Sequence, residues 1–136
     1  MTSAPKVLVV EDNPTEQRLL ALLLNKFGFD AIIAQTGTAA IECMRERGSQ
    51  LTMILMDWQM ADMTGLECTG HLRDLMNERR FYIPIVAVTA RAMLGDKQKC
   101  LNAGMDDYLS KPYTAVQLQE MVIHWSSARA EESLTG

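Results

Sequence analysis

The chain has 136 residues, 48% hydrophobic and 22% charged, which sets a prior of one compact domain that can bury a core without a disulfide or structural metal. Thirteen basic against 17 acidic side chains leave a net charge of −4, so the surface as a whole offers no footprint for nucleic acid. Three widely spaced cysteines (Cys43, Cys68, Cys100) form no CxxC pair and lie apart from His71 and His124, which argues against a zinc site and fits reduced thiols in a cytoplasmic protein. No apolar run is long enough for membrane insertion, and Met1 to Lys6 lacks a signal-peptide core.

In chain order, Lys6–Val10 is an apolar run suited to a strand buried on both faces. Asn13-Pro14-Thr15-Glu16 reads as an N-cap, a proline at the first helical position and a capping-box glutamate; Leu20, Leu23, Leu24 and Phe27 then share one face, and Gly28 ends the helix. Asp30–Ala34 is a weaker strand, near a sheet edge. Thr36 opens a second helix with Ala40, Cys43 and Met44 inward. Thr52–Met56 is the third strand, and Thr64 to Glu67 is a capping-box pattern leading into Cys68, Leu72 and Leu75. Ile85–Val88 is the fourth strand, and Arg91 to Ala103 has helical propensity with a ragged apolar face. Asp107–Leu109 is a second edge strand, and Thr114 caps a last helix with Leu118, Met121, Val122 and Trp125 inward. The methionines at 53, 56, 60, 63 and 93 read as packing residues, and the polar tail after Ser127 as frayed. Five strand–helix repeats predict an α/β domain with a parallel sheet covered on both faces.

The polar residues fall at the strand ends. Glu11 and Asp12 follow the first strand, Asp57 the third; Thr89 ends the fourth, and Lys111 lies just past the fifth. In a parallel α/β sheet these positions meet at the carboxyl edge, in the crevice where ligands bind. Three carboxylates there repel one another unless a cation intervenes, and oxygen donors without Cys or His favour Mg²⁺. Lys111 and the Thr89 hydroxyl then suit the oxygens of a phosphoryl group moving onto a carboxylate.

Val9-Val10-Glu11-Asp12-Asn13, Met56-Asp57, Val88-Thr89-Ala90 and Lys111-Pro112 resemble the signature of response-regulator receiver domains, the CheY-like family. The stretches from Ile83 to Ala90 and from Gly104 to Pro112 are most similar to receivers of hybrid sensor histidine kinases. The resemblance runs from about Lys6 to Trp125 and implies a flavodoxin-like, doubly wound three-layer α/β/α fold with strand order 2-1-3-4-5. The expected organisation is an N-terminal extension (1–5), the receiver (6–128) and a polar tail (129–136).

By that resemblance Asp57 is the phosphoacceptor. Asp12, Asp57 and the backbone carbonyl of Gln59 hold Mg²⁺, for which Mn²⁺ substitutes, and Glu11 acts through a metal-bound water. Lys111, Thr89 and the Ala90 backbone bind the phosphoryl group, Thr89 and Tyr108 switch, and the bond from Lys111 to Pro112 is cis. The implied partners are a histidine kinase or histidine phosphotransfer protein as donor, and a downstream protein at the face of the fourth helix, fifth strand and fifth helix. The domain is then no enzyme beyond its own phosphoryl transfer and autodephosphorylation.

Two departures from the family pattern bear on the loop from Trp58 to Met63: Met60-Ala61 stands where many members have proline after the methionine, and Thr64-Gly65 replaces the usual Asp-Gly. Gln59 and Arg91 occupy positions that tune dephosphorylation in the family. The alternatives are a phosphorylation-independent protein-binding module on the same fold, a flavin binder, disfavoured by Glu11-Asp12 facing a phosphate, and a phosphatase, which lacks a second acid where Gln59 stands. Met1 and the short tail fit a stand-alone regulator; the hybrid-kinase motifs fit a receiver within a longer kinase.

Overall fold

The computed structural model describes residues 4–91 and 93–135, with side chains described as far as Ser127. The elements run β1 (Lys6–Val10), α1 (Pro14–Lys26), β2 (Asp30–Ala34), α2 (Gly37–Arg47), a 3₁₀ turn (Gly48–Gln50), β3 (Leu51–Met56), α3 (Gly65–Arg79), β4 (Ile85–Thr89), α4 (Asp96–Asn102), β5 (Asp107–Ser110) and α5 (Ala115–Thr135). The strands form one parallel sheet in the order β2-β1-β3-β4-β5, so the weakly apolar strands are the two edges, as expected.

Alternation along the three central strands divides the core in two. Leu8, Val10, Ile54, Met56, Ile85 and Ala87 point to one face and meet Ala40 and Met44 of α2, Cys68, Leu72 and Met76 of α3, and Cys100 of α4. Val7, Val9, Met53, Leu55, Val86 and Val88 point the other way, onto Leu20 and Leu24 of α1 and Leu118 and Val122 of α5. Each large side chain here is fully out of water, so truncating Leu24 or Leu72 to Ala costs about 3 kcal/mol.

Caps set the helix starts. Asn13 Oδ1 accepts from Thr15 N (2.9 Å) and Glu16 N (3.1 Å), Thr36 from Ala39 N and Thr64 from Glu67 N. At α5 the reciprocal box is complete: Gln117 N donates to Thr114 Oγ1 (3.1 Å) and Thr114 N to Gln117 Oε1 (2.8 Å). Gly28, at φ +93°, ends α1 in the left-handed region that glycine tolerates.

Two expectations need correction. The fourth helix begins at Asp96, not Arg91, because Gly95 adopts φ +89° and the buried Asp96 carboxylate accepts from Met93 N (2.9 Å), closing a turn where the helix would continue. Met93 is consequently no packing residue: it is 75% exposed, beside a fully exposed Leu94. The backbone of α5 runs on to Thr135.

Candidate functional site

At the carboxyl edge the ends of β1, β3, β4 and β5 surround a crevice of about 500 Å³. Glu11, Asp12, Asp57, Gln59, Thr89, Ala90 and Lys111 all line it, together with Asn13, Glu16, Trp58 and Arg91. Tyr108 lies outside that lining; it packs on the α2–α3 side of the core, and its hydroxyl is buried without a hydrogen-bond partner. Pro112 borders an adjoining groove with Leu19 and Tyr113, and the Lys111-Pro112 bond is cis, as expected.

Backbone pairing carries each acid into place. Glu11 N donates to Ala34 O (3.0 Å), which brings the loop after β1 alongside β2, and Asp57 N donates to Val10 O (3.0 Å). Lys111 N donates to Thr89 O (2.8 Å), so the lysine loop hangs from the end of β4. Gly65 abuts the back of Asp57: a Cβ on it would collide with the Asp57 carbonyl oxygen.

The loop that follows Asp57 is tied down by a residue that sequence reasoning passed over. Asp62 accepts from Gly37 N (2.9 Å), Thr38 N (2.9 Å) and Thr38 Oγ1 (2.7 Å), so it caps α2 across space. These bonds, the Thr38 backbone donor first, hold its carboxyl down at about 2. Gln59 also pairs with Thr64 in an antiparallel bridge.

The electrostatics of the crevice are unbalanced. Ligand oxygens of Glu11, Asp12 and Asp57 lie within 4.8 Å of one another. Glu11 is 3% exposed; its Oε1 accepts from Lys111 Nζ (3.1 Å) and its Oε2 from Asn13 N (3.4 Å). Asp57 Oδ1 accepts from Trp58 N (2.8 Å). Burial first, then the Glu11 carboxylate, push Asp57 up to about 7. Glu11 goes down: burial works against its charge, but the hydrogen bond from Asp57 and the Lys111 ammonium outweigh it. Lys111 rises for the complementary reason, since Glu11, Asp57 and Glu16 together overcome its burial.

A hard divalent cation fits this donor set. The donors are all oxygen, they converge, and an acid pushed up by burial and by a neighbouring carboxylate is what a cation would relieve.

Thr89, 3% exposed, accepts from Arg91 N (3.3 Å). The Arg91 guanidinium lies 4.2 Å over the Trp58 ring and 3.5 Å from Asp96 Oδ1. Trp58 and Asp96 carried no signal in the sequence as parts of this site. Glu16 carried a misleading one: its carboxylate does not return to the Asn13 N–H as a capping box would, but points into the crevice, 3.6 Å from Lys111 Nζ.

A doubly wound sheet with three acids, a hydroxyl and a lysine gathered at its switch point defines a class of small phosphoryl-handling signalling domains. Residues 7–123 match the family model described as "Response regulator receiver domain", and the chain belongs to that family. It is 44% identical over 120 residues, 86% of its own length, to hybrid signal transduction histidine kinase I of Dictyostelium discoideum. The chain spans only 7% of that relative and 14% of the sensor protein GacS of Pseudomonas syringae pv. syringae, which is 40% identical to 90% of this chain. Among solved structures it resembles the receiver domain of sensor histidine kinase PA1611 from Pseudomonas aeruginosa PAO1, which has a magnesium ion coordinated in the active site cleft (TM-score 0.81, 34% identity, 91% of this chain and 98% of that one).

A second solved likeness is a chain of the Saccharomyces cerevisiae co-crystal of the histidine phosphotransfer protein Ypd1 with the receiver domain of Ssk1 (TM-score 0.81, 30% identity, 93% and 92%). No helix among the described residues is long and apolar enough to cross a membrane.

Proposed function

We propose that Asp57 accepts a phosphoryl group from a phosphohistidine, carried on a histidine kinase or a histidine phosphotransfer protein, and that the chain works in the cytoplasm as one station of a phosphorelay. The observation that carries this is the convergence of Glu11, Asp12 and Asp57 within 4.8 Å, facing Lys111 at the carboxyl edge of the sheet. The Ypd1–Ssk1 likeness supports a phosphotransfer partner. The receiver then acts on itself: it catalyses its own phosphorylation and hydrolysis and turns over no separate substrate.

Trp58 N holds one oxygen of Asp57, leaving Oδ2 to attack phosphorus. The new O–P bond forms as the P–N bond of phosphohistidine breaks, and the bonding pair returns to the imidazole nitrogen. Asp12, Asp57 and the Gln59 carbonyl would hold Mg²⁺, or Mn²⁺ in its place, with Glu11 reaching it through water. When bound, the metal neutralises charge on the acids and on the phosphoryl oxygens. Lys111 leaves Glu11 to pair with a phosphoryl oxygen, and the Ala90 N–H donates to another. The Thr89 hydroxyl gives up its bond from Arg91 N for the phosphoryl group, and Tyr108, whose hydroxyl has no partner to lose, follows. That movement is read at the face of α4, β5 and α5 by a downstream protein.

Incubation with a small phosphodonor and Mg²⁺, followed by intact mass, tests the reading. A single phosphoryl adduct that disappears in Asp57→Asn is expected. An adduct that survives the substitution, or none in the wild type, overturns it.

A further inference from the structure

Glu16 is a fourth carboxylate in the crevice, and the proposed metal site and phosphoryl site give it no role. Its Oε2 is buried and, among the described residues, accepts no hydrogen bond and has Lys111 Nζ, at 3.6 Å, as its one ion-pair partner. The same ammonium bonds Glu11 Oε1 at 3.1 Å, so one lysine serves two acids. The buried Tyr113 hydroxyl, which feels the Glu16 charge, also lacks a partner. The capping spacing that would employ Glu16 at the start of α1 is left unused, because Asn13 N donates to Glu11 instead.

We infer that Glu16 is a positioning residue that holds Lys111 in its resting place and opposes occupation of the crevice by a phosphoryl group. The inference rests on the phosphoacceptor reading above. When Lys111 turns to a phosphoryl oxygen, Glu11 keeps a cation through the metal site. Glu16 keeps none, and a buried oxygen is left facing the incoming negative charge. Each phosphorylation therefore separates Glu16 from its only ion-pair partner among the described residues. This weights the equilibrium toward the empty state until a phosphodonor drives it over.

The test uses Glu16→Gln, which keeps size and removes charge, with Glu16→Ala as a second variant. Beryllium fluoride, a tetrahedral phosphoryl mimic that adds to carboxylates, is titrated at saturating Mg²⁺; Mg²⁺ is titrated separately without fluoride. In both variants the mimic should bind about tenfold more tightly at low salt, while Mg²⁺ binds no better or up to about threefold more weakly, since an anion has left. A gain for the anion without any gain for the cation is something a merely structural role would not produce. Glu16→Asp, with its carboxylate drawn back from Lys111, should fall between wild type and Glu16→Gln. An unchanged affinity for the mimic, or a parallel loss of both affinities, overturns the role of Glu16. A wild-type protein that takes up no beryllium fluoride at all sinks the phosphoacceptor reading itself and this inference with it.

Discussion

The two edges of the sheet treat their acids in opposite ways. At the amino-terminal edge of β4 and β5, Asp106 Oδ2 accepts from Arg73 Nη2 (2.8 Å) and Ile85 N (2.8 Å), and Oδ1 accepts from the Tyr82 hydroxyl. Arg73 is itself fully engaged: it donates to the carbonyls of Gly104 and Ile83, both at 2.8 Å, and lies 4.8 Å from the centre of the Tyr82 ring. At the carboxyl edge, Glu11 and Glu16 share the Lys111 ammonium, while Asp12 and Asp57 converge on Glu11 with no salt bridge of their own among the described residues. The first cluster is satisfied and joins α3 to the entries of β4 and β5; the second is left short of positive charge, and that shortage is what makes it receptive. A carboxylate with every lone pair answered stabilises a fold, whereas one held up to about 7 by burial and a neighbouring acid waits for a ligand.

Substitutions on the two sides should therefore separate function from stability. The largest effect is expected for Asp57→Asn: complete loss of the phosphoryl adduct in intact mass, with the metal-free protein at pH 8 melting several degrees higher because a crowded charge has gone. Asp106→Ala should do the reverse. It removes the carboxylate that Arg73 Nη2, the Tyr82 hydroxyl and the Ile85 N–H share, costs about 3 kcal/mol in urea unfolding, and leaves phosphorylation of the remaining folded protein within about twofold of wild type. A neutral Asp106→Ala in urea would mean that the two edges do not differ in this way.

The third expectation concerns pH. Asp57 stands at about 7 in the metal-free fold against an ordinary 3.8, so its raised value favours the fold fully below about pH 4. That contribution is lost as pH climbs through 7, and Mg²⁺ should restore it. The gap in melting temperature between Mg²⁺ and EDTA samples should therefore widen from pH 5 to pH 8, and a gap independent of pH would contradict the assignment.

Arg91→Ala comes next, removing the stack on Trp58 and the pair with Asp96. A loss of about 1 kcal/mol is expected, with a change in Trp58 fluorescence and a smaller change in the lifetime of the adduct. Asp62→Asn should give the smallest drop in melting temperature at pH 7. Because its carboxyl is held down at about 2, the wild type's advantage should shrink as pH falls below 4 toward 2.

What could be read in the chain beforehand follows from which forces leave a periodic trace. All five strands and four of the five helices show up in apolar spacing and in caps such as Asn13, Thr36, Thr64 and Thr114. The acids at the strand ends were legible because a parallel sheet gathers its carboxyl ends regardless of side-chain detail. The start of α4 was not, since it depends on Gly95 at φ +89° and on the side chain of Asp96.

Contacts between distant polar residues left no trace either. Asp62 reaches back 25 residues to cap α2, and Arg73 spans 33 to meet Asp106. Glu16 was legible as a type and misread as a role, because its spacing from Asn13 satisfies a local rule that the fold overrides with Lys111.

Gly65 has no side chain, yet it packs directly against the main chain of Asp57. The carbonyl of Asp57 fills the space a methyl group would need, and that carbonyl cannot rotate aside as a side chain can. In a library of all substitutions across this chain, position 65 should therefore behave like an acceptor residue: alanine there would shift the main chain of Asp57 and silence the receiver while every charged group in the crevice remained chemically intact.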